Sequence, residues 1–390
     1  MVMEATRVVG SPDSGYPSQP DSQAIVMQVD NELIETMDIS IPLLTMVGGV
    51  SGEQVRQNKF FWPLGDNWTR RPTHGGLAAV GTATITVTAQ AFRYPIGTIF
   101  KLESELVRVT GIPDVNTLSI TRGYAGTTPA THASTVEMIV AGSSMHEGDT
   151  WVYRPTPTVT LPFNYTMVDN AALRNTWSRR DSQFYGVDGS QELDKYTADT
   201  LRQKMVGIEE ALISSRRFAG EASEPRTSGG MEYFITSANG ADVTDKSGAA
   251  IQLADFHGAM DRKAKSIGVE NLPDTFIMDS WAKQKISAYF QGARRLTNQE
   301  KIGNSVVDSI ETEWGVKKLL MHYSLPFGNV YGFKAGDIEV VHLGSSGMPH
   351  IGETMENTGP FQGRYYYAEI GFRIKHIERM IRIHNYSLTS

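Results

Sequence analysis

Between Ser190 and Phe218 apolar side chains recur at Leu193, Tyr196, Leu201, Met205, Ile208, Leu212 and Phe218, mostly three, four or five residues apart. That spacing predicts one amphipathic helix of about 28 residues, roughly 40 Å long at 1.5 Å rise per residue, with Ser190 as its N-cap. An element of that length is longer than a usual globular helix. The opposite face carries Asp194, Lys195, Asp199, Arg202, Lys204 and Glu210. The Lys195 and Asp199 pair adds only a few tenths of a kcal/mol, so the apolar stripe must stabilise the helix. The helix then enters Arg226-Thr-Ser-Gly-Gly230 and an aromatic run, "MEYFI" from Met231, which reads as a strand. No His, Cys or carboxylate cluster stands there to do chemistry. The junction therefore reads as mechanical, with Gly229 and Gly230 as a hinge of permissive dihedrals.

The chain has 390 residues, enough for two or three packed units. Its formal charge is −7, which argues against a protein whose affinity comes mainly from neutralising phosphates. Cysteine is absent, which excludes disulfides, thiolate nucleophiles and Cys-based zinc sites. The stretch "MVMEATRVVGSPDSG" has no basic region followed by an apolar core, and no window approaches the apolar run of a membrane span. A cytoplasmic protein with no membrane contact is expected, in which the sequons at Asn67 and Asn164 carry no glycosylation meaning.

Residues 1–24 are rich in Ser, Pro, Asp, Gly and Gln, the composition of an arm that orders on a partner. The patch "ISIPLLTMVGGV" from Ile39 is broken by Pro42 and Gly48-Gly49 and reads as an extended or turning stretch. "RQNKFFW" from Arg56 reads as a strand whose partner is "TVTLPFNYTMV" from Thr158. Between them, "ATITVT" at 83, "TIFKL" at 98, "LVRVT" at 106, "TLSIT" at 117 and "TVEMIV" at 135 read as five short strands of a small barrel or sandwich inserted in a hairpin. After Gly230 an α/β region is expected. Its helices are "IQLADFHGAMDRKAKSIG" from Ile251 and "DSWAKQKISAYF" from Asp279, the second with Asp279 as N-cap. Its strands are "TFIM" at 275, "KKLLMHY" at 317, "VYGF" at 330 and "IEVVHL" at 338. Near the C-terminus the apolar phase set by Tyr366, Ala368, Ile370, Phe372 and Ile374 slips to Ile377, Ile381 and Ile383, which implies a bulge or bend at Lys375-His376.

In order and texture these pieces resemble the major capsid proteins of tailed bacteriophages, which share the Hong Kong phage 97-type shell fold. The segments "EEALISSRRFAG" and "RTSGG" carry the resemblance most specifically, with "PDTFIMDSWAKQKIS" and the return strand "RYYYAEIGFRIKHIERMIRIHN" beside them. The run "GTIFKLESELVRVTGIPDVNTLSITRGYAGTTPATHAS" looks like a small β-module seen in some capsid proteins of this group. The resemblance implies an α+β fold. Its parts are an N-terminal arm at 1–50, an extended hairpin loop region at 51–180 with the β-module at about 78–145, a peripheral domain with the spine helix at 181–229, an axial domain at 230–355, and peripheral return strands at 356–390. It implies a structural, non-enzymatic protein that assembles with itself into hexamers and pentamers of an icosahedral head around double-stranded DNA. Portal, scaffolding and decoration proteins are the further partners, DNA contact is non-specific, and no cofactor is implied. It also implies a place in the virion, with assembly in the bacterial host cytoplasm. A removable Glu-rich helical segment is not seen near the N-terminus, so a separate scaffolding protein is expected. An encapsulin-like compartment shell is the alternative within the fold.

Of the chemical motifs, Ser280 and Lys283 match the Ser-x-x-Lys pattern and share a helix face, which leaves a serine hydrolase as an alternative of another class. The companion motifs of such acylases are missing, and the structural reading is a capped helix with Trp281 and Ile286 in the core. Nine scattered histidines give no short ligand spacing, although His322 and His342, both on expected strands, could meet across a sheet. Asn239, Asp242 and Asp245 offer oxygen ligands without the Gly and terminal Glu of a calcium loop. No catalytic, cofactor-binding or metal residue is assigned. The pairs Arg70-Arg71, Arg179-Arg180, Arg216-Arg217 and Arg294-Arg295 read as solvated charge, with subunit pairing or loose DNA contact as the alternative. Lys59 raises the question of a Lys-to-Asn isopeptide bond, which some shells form between neighbours, but no matching catalytic carboxylate can be placed.

Overall fold

A computed structural model describes residues 41–387 apart from 51, 66–70, 78, 88–90, 151–158, 177–182, 185–186, 292–296, 303–304 and 355–360. Residues 1–40 of the expected arm, Arg70, the Arg179 and Arg294 pairs and Asn67 lie outside those residues. The chain divides into two compact units, one of Met1–Asp38, Ala172–Thr200 and Gly352–Tyr365, the other of Ile39–Ala171, Leu201–Ile351 and Tyr366–Ser390. The first holds the small strand pair Gln183–Phe184 and Val187–Asp188 and an Arg364–Asp194 ion pair. The larger unit holds the hydrophobic cores described next.

Of the strands expected in the α/β region, those at 275, 317 and 330 lie in a seven-stranded mixed sheet in the order Asp242–Asp245, Ile381–His384, Asn329–Phe333, Thr275–Met278, Gly315–Met321, Ser305–Thr312, Thr297–Ile302, whereas the one at 338 belongs to a different sheet. Thr275–Met278 is buried at every position because both of its faces are covered. Phe276 and Met278 join a core with Phe256, Met260 and Ile286 from the helices Leu253–Ile267 and Ser280–Gln291, while Ile277 points into a second and larger core. A capping box of Gln252 and Asp255 starts the first helix. Asp279 caps the second, accepting from Ala282 N–H at 2.7 Å.

The larger core lies against a five-stranded sheet. In it Gln54–Val55 runs parallel to Ile338–Leu343, which pairs antiparallel with Phe361–Ile374; Met167–Thr176 follows, and His350–Thr354 also pairs with Phe361–Ile374. The phase slip near the C-terminus has a concrete cause. The chain leaves this sheet at Ile374, turns through His376 in the left-handed region (φ 48°), and enters the seven-stranded sheet at Ile381.

The long helix spans Gly189–Ser214 and stops short of Phe218. Beyond Ser214 the chain doubles back, Phe218 pairing with Thr227 through two backbone bonds of 3.1 Å. Its stripe is buried over only part of its length: Ile208, Leu212 and Ile213 are in the core, whereas Tyr196 is 42% exposed. The run after Gly230 is a four-residue helix, Met231–Phe234, and not a strand.

Lys59–Phe61 pairs antiparallel with Phe163–Tyr165, and Leu64–Gly65 with Val159–Thr160, so the two ends of the expected hairpin meet as read. Between them the strands Thr84–Thr86, Thr117–Thr121, Glu105–Asp114, Thr98–Leu102 and Met138–Ser143 form, in that order, a single antiparallel sheet rather than two packed sheets. Tyr94, Phe100, Leu102, Val107 and Leu118 give it a separate core. Among the described residues no helix is long and apolar enough to cross a membrane.

Candidate functional site

The junction after the long helix is a buried corner. Asn164, fully buried on the strand Phe163–Tyr165, places its amide against Gly229: Oδ1 accepts from Gly229 N–H at 2.8 Å, and Nδ2 donates to Gly229 O at 2.9 Å and to Phe372 O at 2.7 Å. Ser228 Oγ accepts from Phe372 N–H at 3.0 Å, Ser215 Oγ donates to Ser228 O, and Gly230 N–H bonds Ser215 O at 2.8 Å. Helix end, hairpin and return strand are thereby tied at one point.

Neither glycine takes the positive-φ dihedrals that a hinge of permissive backbone would use. Gly230 has φ −93° and ψ −167°, an ordinary extended conformation, and both glycines are buried. What they supply is close approach. A Cβ on Gly230 would stand 2.6 Å from Ala211 O and Leu212 O, and one on Gly229 3.0 Å from Arg217 Cβ and Tyr233 Cδ1.

Beside the corner, Arg226 donates to Thr166 O at 2.7 Å and pairs with Glu369, a buried carboxylate that also accepts from Thr166 Oγ1 at 2.9 Å and Tyr367 OH at 3.0 Å. Burial and the adjacent Glu369 push the Tyr367 hydroxyl above the ordinary tyrosine range. A row of cations and rings runs outward from the same place. Arg217 lies over Tyr233 at 5.0 Å and over Phe163 at 3.9 Å; Lys59 lies over Phe163 at 4.1 Å and Phe61 at 5.1 Å. The row borders a cleft of about 630 Å³ lined by the ribbon at 64–65 and 160–163, the turn at 233–240 and the end of the helix Leu253–Ile267.

A second buried carboxylate holds the segment that was expected to be extended or turning. Pro42–Val47 is a short helix with Pro at its start and Gly48 (φ 96°) at its end. Its free N–H groups at Leu43 and Leu44 are capped from 165 residues away by Glu209, at 3.0 and 3.2 Å. Glu209 Oε1 also meets His322 Nε2 at 2.5 Å, and His322 Nδ1 accepts from Ser324 N–H at 3.2 Å, which fixes the proton on Nε2. His322 and His342 do not meet; His342 Nδ1 bonds Gly344 O at 2.7 Å.

In the sheet with its own core, Glu105 is fully buried and receives Arg122 through Nε at 2.6 Å and Nη2 at 2.7 Å, Ala130 N–H at 3.0 Å, Gly123 N–H at 3.1 Å and His132 Nε2 at 2.9 Å. Burial alone would raise its pKa, but Arg122, the two N–H groups and His132 together hold it at about 2. The arrangement is a staple that fastens the loop at 123–132 to the sheet.

The remaining sequence candidates fall apart in space or into ordinary roles. Ser280 and Lys283 sit on the first turn of their helix, where Ile286 is in the core, Trp281 stacks on Tyr386 at 5.9 Å, and Lys283 is nine-tenths buried. Asp242 pairs with Arg262 at 2.8 Å, and Asp245 accepts from Ser247 N–H at 2.8 Å. Among the described residues no group of three or more acidic or His side chains is placed to hold a metal. Arg71 pairs with Glu137. Asn164, Glu209 and Glu105 were not singled out from sequence as structural residues, and only Asn164 left a trace there, as a polar side chain within "LPFNYTM".

The family described as SU10 major capsid protein matches residues 16–387. Among curated proteins no relative matches the chain. Solved structures that are similar include the capsid asymmetric unit of cyanophage A-1(L), 7% identical with a TM-score of 0.52 over 94% of this chain and 98% of that one. The capsid of the native GTA particle is 11% identical, with a TM-score of 0.49 over 94% of this chain and 97% of that one. The holo-SrpI encapsulin complex from Synechococcus elongatus PCC 7942 is 11% identical, with a TM-score of 0.45 over 60% of this chain and 79% of that one. The cyanophage likeness shows the fold, the α+β Hong Kong phage 97-type shell architecture.

Proposed function

The chain belongs to the SU10 major capsid protein family, and from that premise we propose that its copies assemble into the hexamers and pentamers of an icosahedral phage head enclosing double-stranded DNA. The family match over residues 16–387 carries this reading, because it takes in the hairpin, the corner, the α/β region and the return strand together. The family is one of structural proteins, and we read the chain as non-enzymatic, with portal, scaffolding and decoration proteins as further partners and the host cytoplasm as the place of assembly.

The physical logic is multivalent. Each contact between copies is worth a few kcal/mol, so a misplaced subunit can leave, while a closed shell in which every copy holds several neighbours is durable. Such tiling needs a subunit whose parts keep fixed angles. The bonds among Asn164, Ser228, Gly229 and Phe372 support that role for the corner. We keep the arm at 1–50, the hairpin region at 51–180, the peripheral parts at 181–229 and 356–390 and the axial part at 230–355 as the working division. Cryo-electron microscopy of virions tests the reading: five- and sixfold capsomers of this chain around packed DNA support it. Particles filled with protein cargo and free of nucleic acid would instead fit an encapsulin-like compartment, and acylation of Ser280 by an active-site probe would fit a hydrolase.

A further inference from the structure

Two connections carry the chain between its two large sheets, and they lie side by side. One runs from Asn329–Phe333 in the seven-stranded sheet to Ile338–Leu343 in the five-stranded sheet; the other returns from Phe361–Ile374 to Ile381–His384. Ile338 stands opposite Ile374 and Gly332 opposite Ile381, so the two are held together at both ends. Each contains one short 3-10 turn, Ala335–Asp337 in the first and Ile377–Arg379 in the second. The second is entered through His376 in the left-handed region, an uncommon conformation outside glycine.

Asp337 sits where the two connections touch. Its carbonyl oxygen accepts from Lys375 N–H at 2.7 Å, and its own N–H donates to Lys334 O at 2.9 Å. The side chain is buried, yet poorly matched. Oδ1 lies 3.7 Å from Arg379 Nη1, at the outer limit of an ion pair, and among the described residues the buried Oδ2 has no hydrogen-bond partner. The neighbouring charges are engaged elsewhere: Glu378 stands 3.4 Å from His376, Lys375 pairs with Glu339, and Lys334 Nζ donates to Glu270 O at 2.6 Å. The helix Pro42–Val47, which packs on the turn Ala335–Asp337, brings no charge. Burial therefore raises the Asp337 carboxyl above the ordinary carboxylate range; Arg379, His376 and Lys334 pull it back part of the way, and Glu378 adds to the rise.

We propose that Asp337 is a proton-controlled latch on the neck between the two sheets: with a proton on its carboxyl the two turns stay closed on each other, and without it they part far enough for water to reach the carboxylate. Linkage sets the direction. In the opened neck the carboxyl is hydrated and binds a proton with its ordinary affinity, and in the closed neck it binds one more tightly, so protons favour the closed form. The closed form keeps its full advantage below the ordinary carboxylate pKa and loses it as pH rises through the raised one. In a shell, where one chain serves rings of different symmetry, a neck that can loosen lets the two sheets adjust by small shear.

Amide hydrogen exchange of the full-length protein between pH 4 and pH 8, corrected for the intrinsic pH dependence of exchange, tests the latch. Protection at the Asp337 and Lys375 amides is expected to fall about tenfold or more across that range, since each unit of raised pKa is worth a factor of ten. Protection at Ile277, inside the seven-stranded sheet, should not change. Asp337→Asn, which cannot ionise, should keep the low-pH protection throughout. Arg379→Gln should move the midpoint of the change to higher pH, because the nearest opposite charge is gone, and His376→Gln should leave the change in place. Equal protection at both ends of the range in the unaltered chain overturns the latch. So does a change that persists in Asp337→Asn, or one that disappears in His376→Gln. Where Asp337→Asn does not fold, the Arg379→Gln midpoint decides, and an unmoved midpoint overturns the latch equally. Shell formation plays no part in the readout, so the latch stands or falls separately from the capsid reading.

Discussion

The side-chain amide of Asn164 and the backbone of Gly229 form a closed two-way pair, Gly229 N–H to Oδ1 at 2.8 Å and Nδ2 to Gly229 O at 2.9 Å. The pair stands in for a β-ladder where the strand meets the corner. Asn164→Ala leaves a buried donor and two buried acceptors unmatched and is expected to cost about 3 kcal/mol or more. Asn164→Asp should be at least as harmful, because a carboxylate cannot donate to Gly229 O and Phe372 O. Chemical denaturation of the dissociated subunit measures both; a loss under about 1 kcal/mol for either would show that the amide does not hold the corner.

Glycines 207 and 230 should respond in opposite directions. Gly230→Ala forces a Cβ to within 2.6 Å of two helix carbonyl oxygens and should destabilise by about 1–3 kcal/mol. Gly207 is exposed inside the long helix with nothing within 4 Å, so Gly207→Ala should stabilise by roughly 0.5–1 kcal/mol. Thermal midpoints of the two variants decide the matter, and a neutral Gly230→Ala would restore the hinge reading.

Acid should loosen the sheet around Glu105 late. Its folded pKa of about 2 lies below the ordinary 4.5, so its contribution is fully present above pH 4.5 and is lost as pH falls through about 2. At roughly 1.4 kcal/mol per pH unit the gap corresponds to about 3 kcal/mol. Glu105→Gln should remove most of that pH dependence and destabilise at neutral pH. Fluorescence-monitored denaturation between pH 7 and pH 2 would show it, and an unchanged acid profile in Glu105→Gln would contradict the staple.

Glu209 should matter at two distant places. Glu209→Gln keeps the shape but sets an amide N–H₂ against the donor at Leu44 or against those at Leu43 and His322, with an expected cost of about 2–3 kcal/mol. Hydrogen exchange should rise together at Leu43–Leu44 and at Ser324. A rise at only one of them would show that the carboxylate does not couple the two segments.

What was legible in the sequence was whatever burial writes as periodicity. The run "TFIM" gave a strand buried on both faces, the run from Ile251 and the Asp279 start gave helices, and the phase slip at Lys375-His376 marked the crossing from one sheet to another. Contacts between residues far apart leave no such trace. The helix Pro42–Val47 was read as an extended or turning stretch because its cap, Glu209, lies 165 residues away. The long helix was carried on to Phe218 because that residue continues the apolar spacing, although its backbone pairs with Thr227. Asn164 looked like a sequon, and only the fold places it against Gly229.

Everything depends on the chain being a tile. Charge-detection mass spectrometry of the purified full-length protein tests this most directly. The account predicts a narrow population at large whole-number multiples of the 43.0 kDa chain, as closed shells require. A distribution that stays at one or two copies under every assembly condition would contradict it.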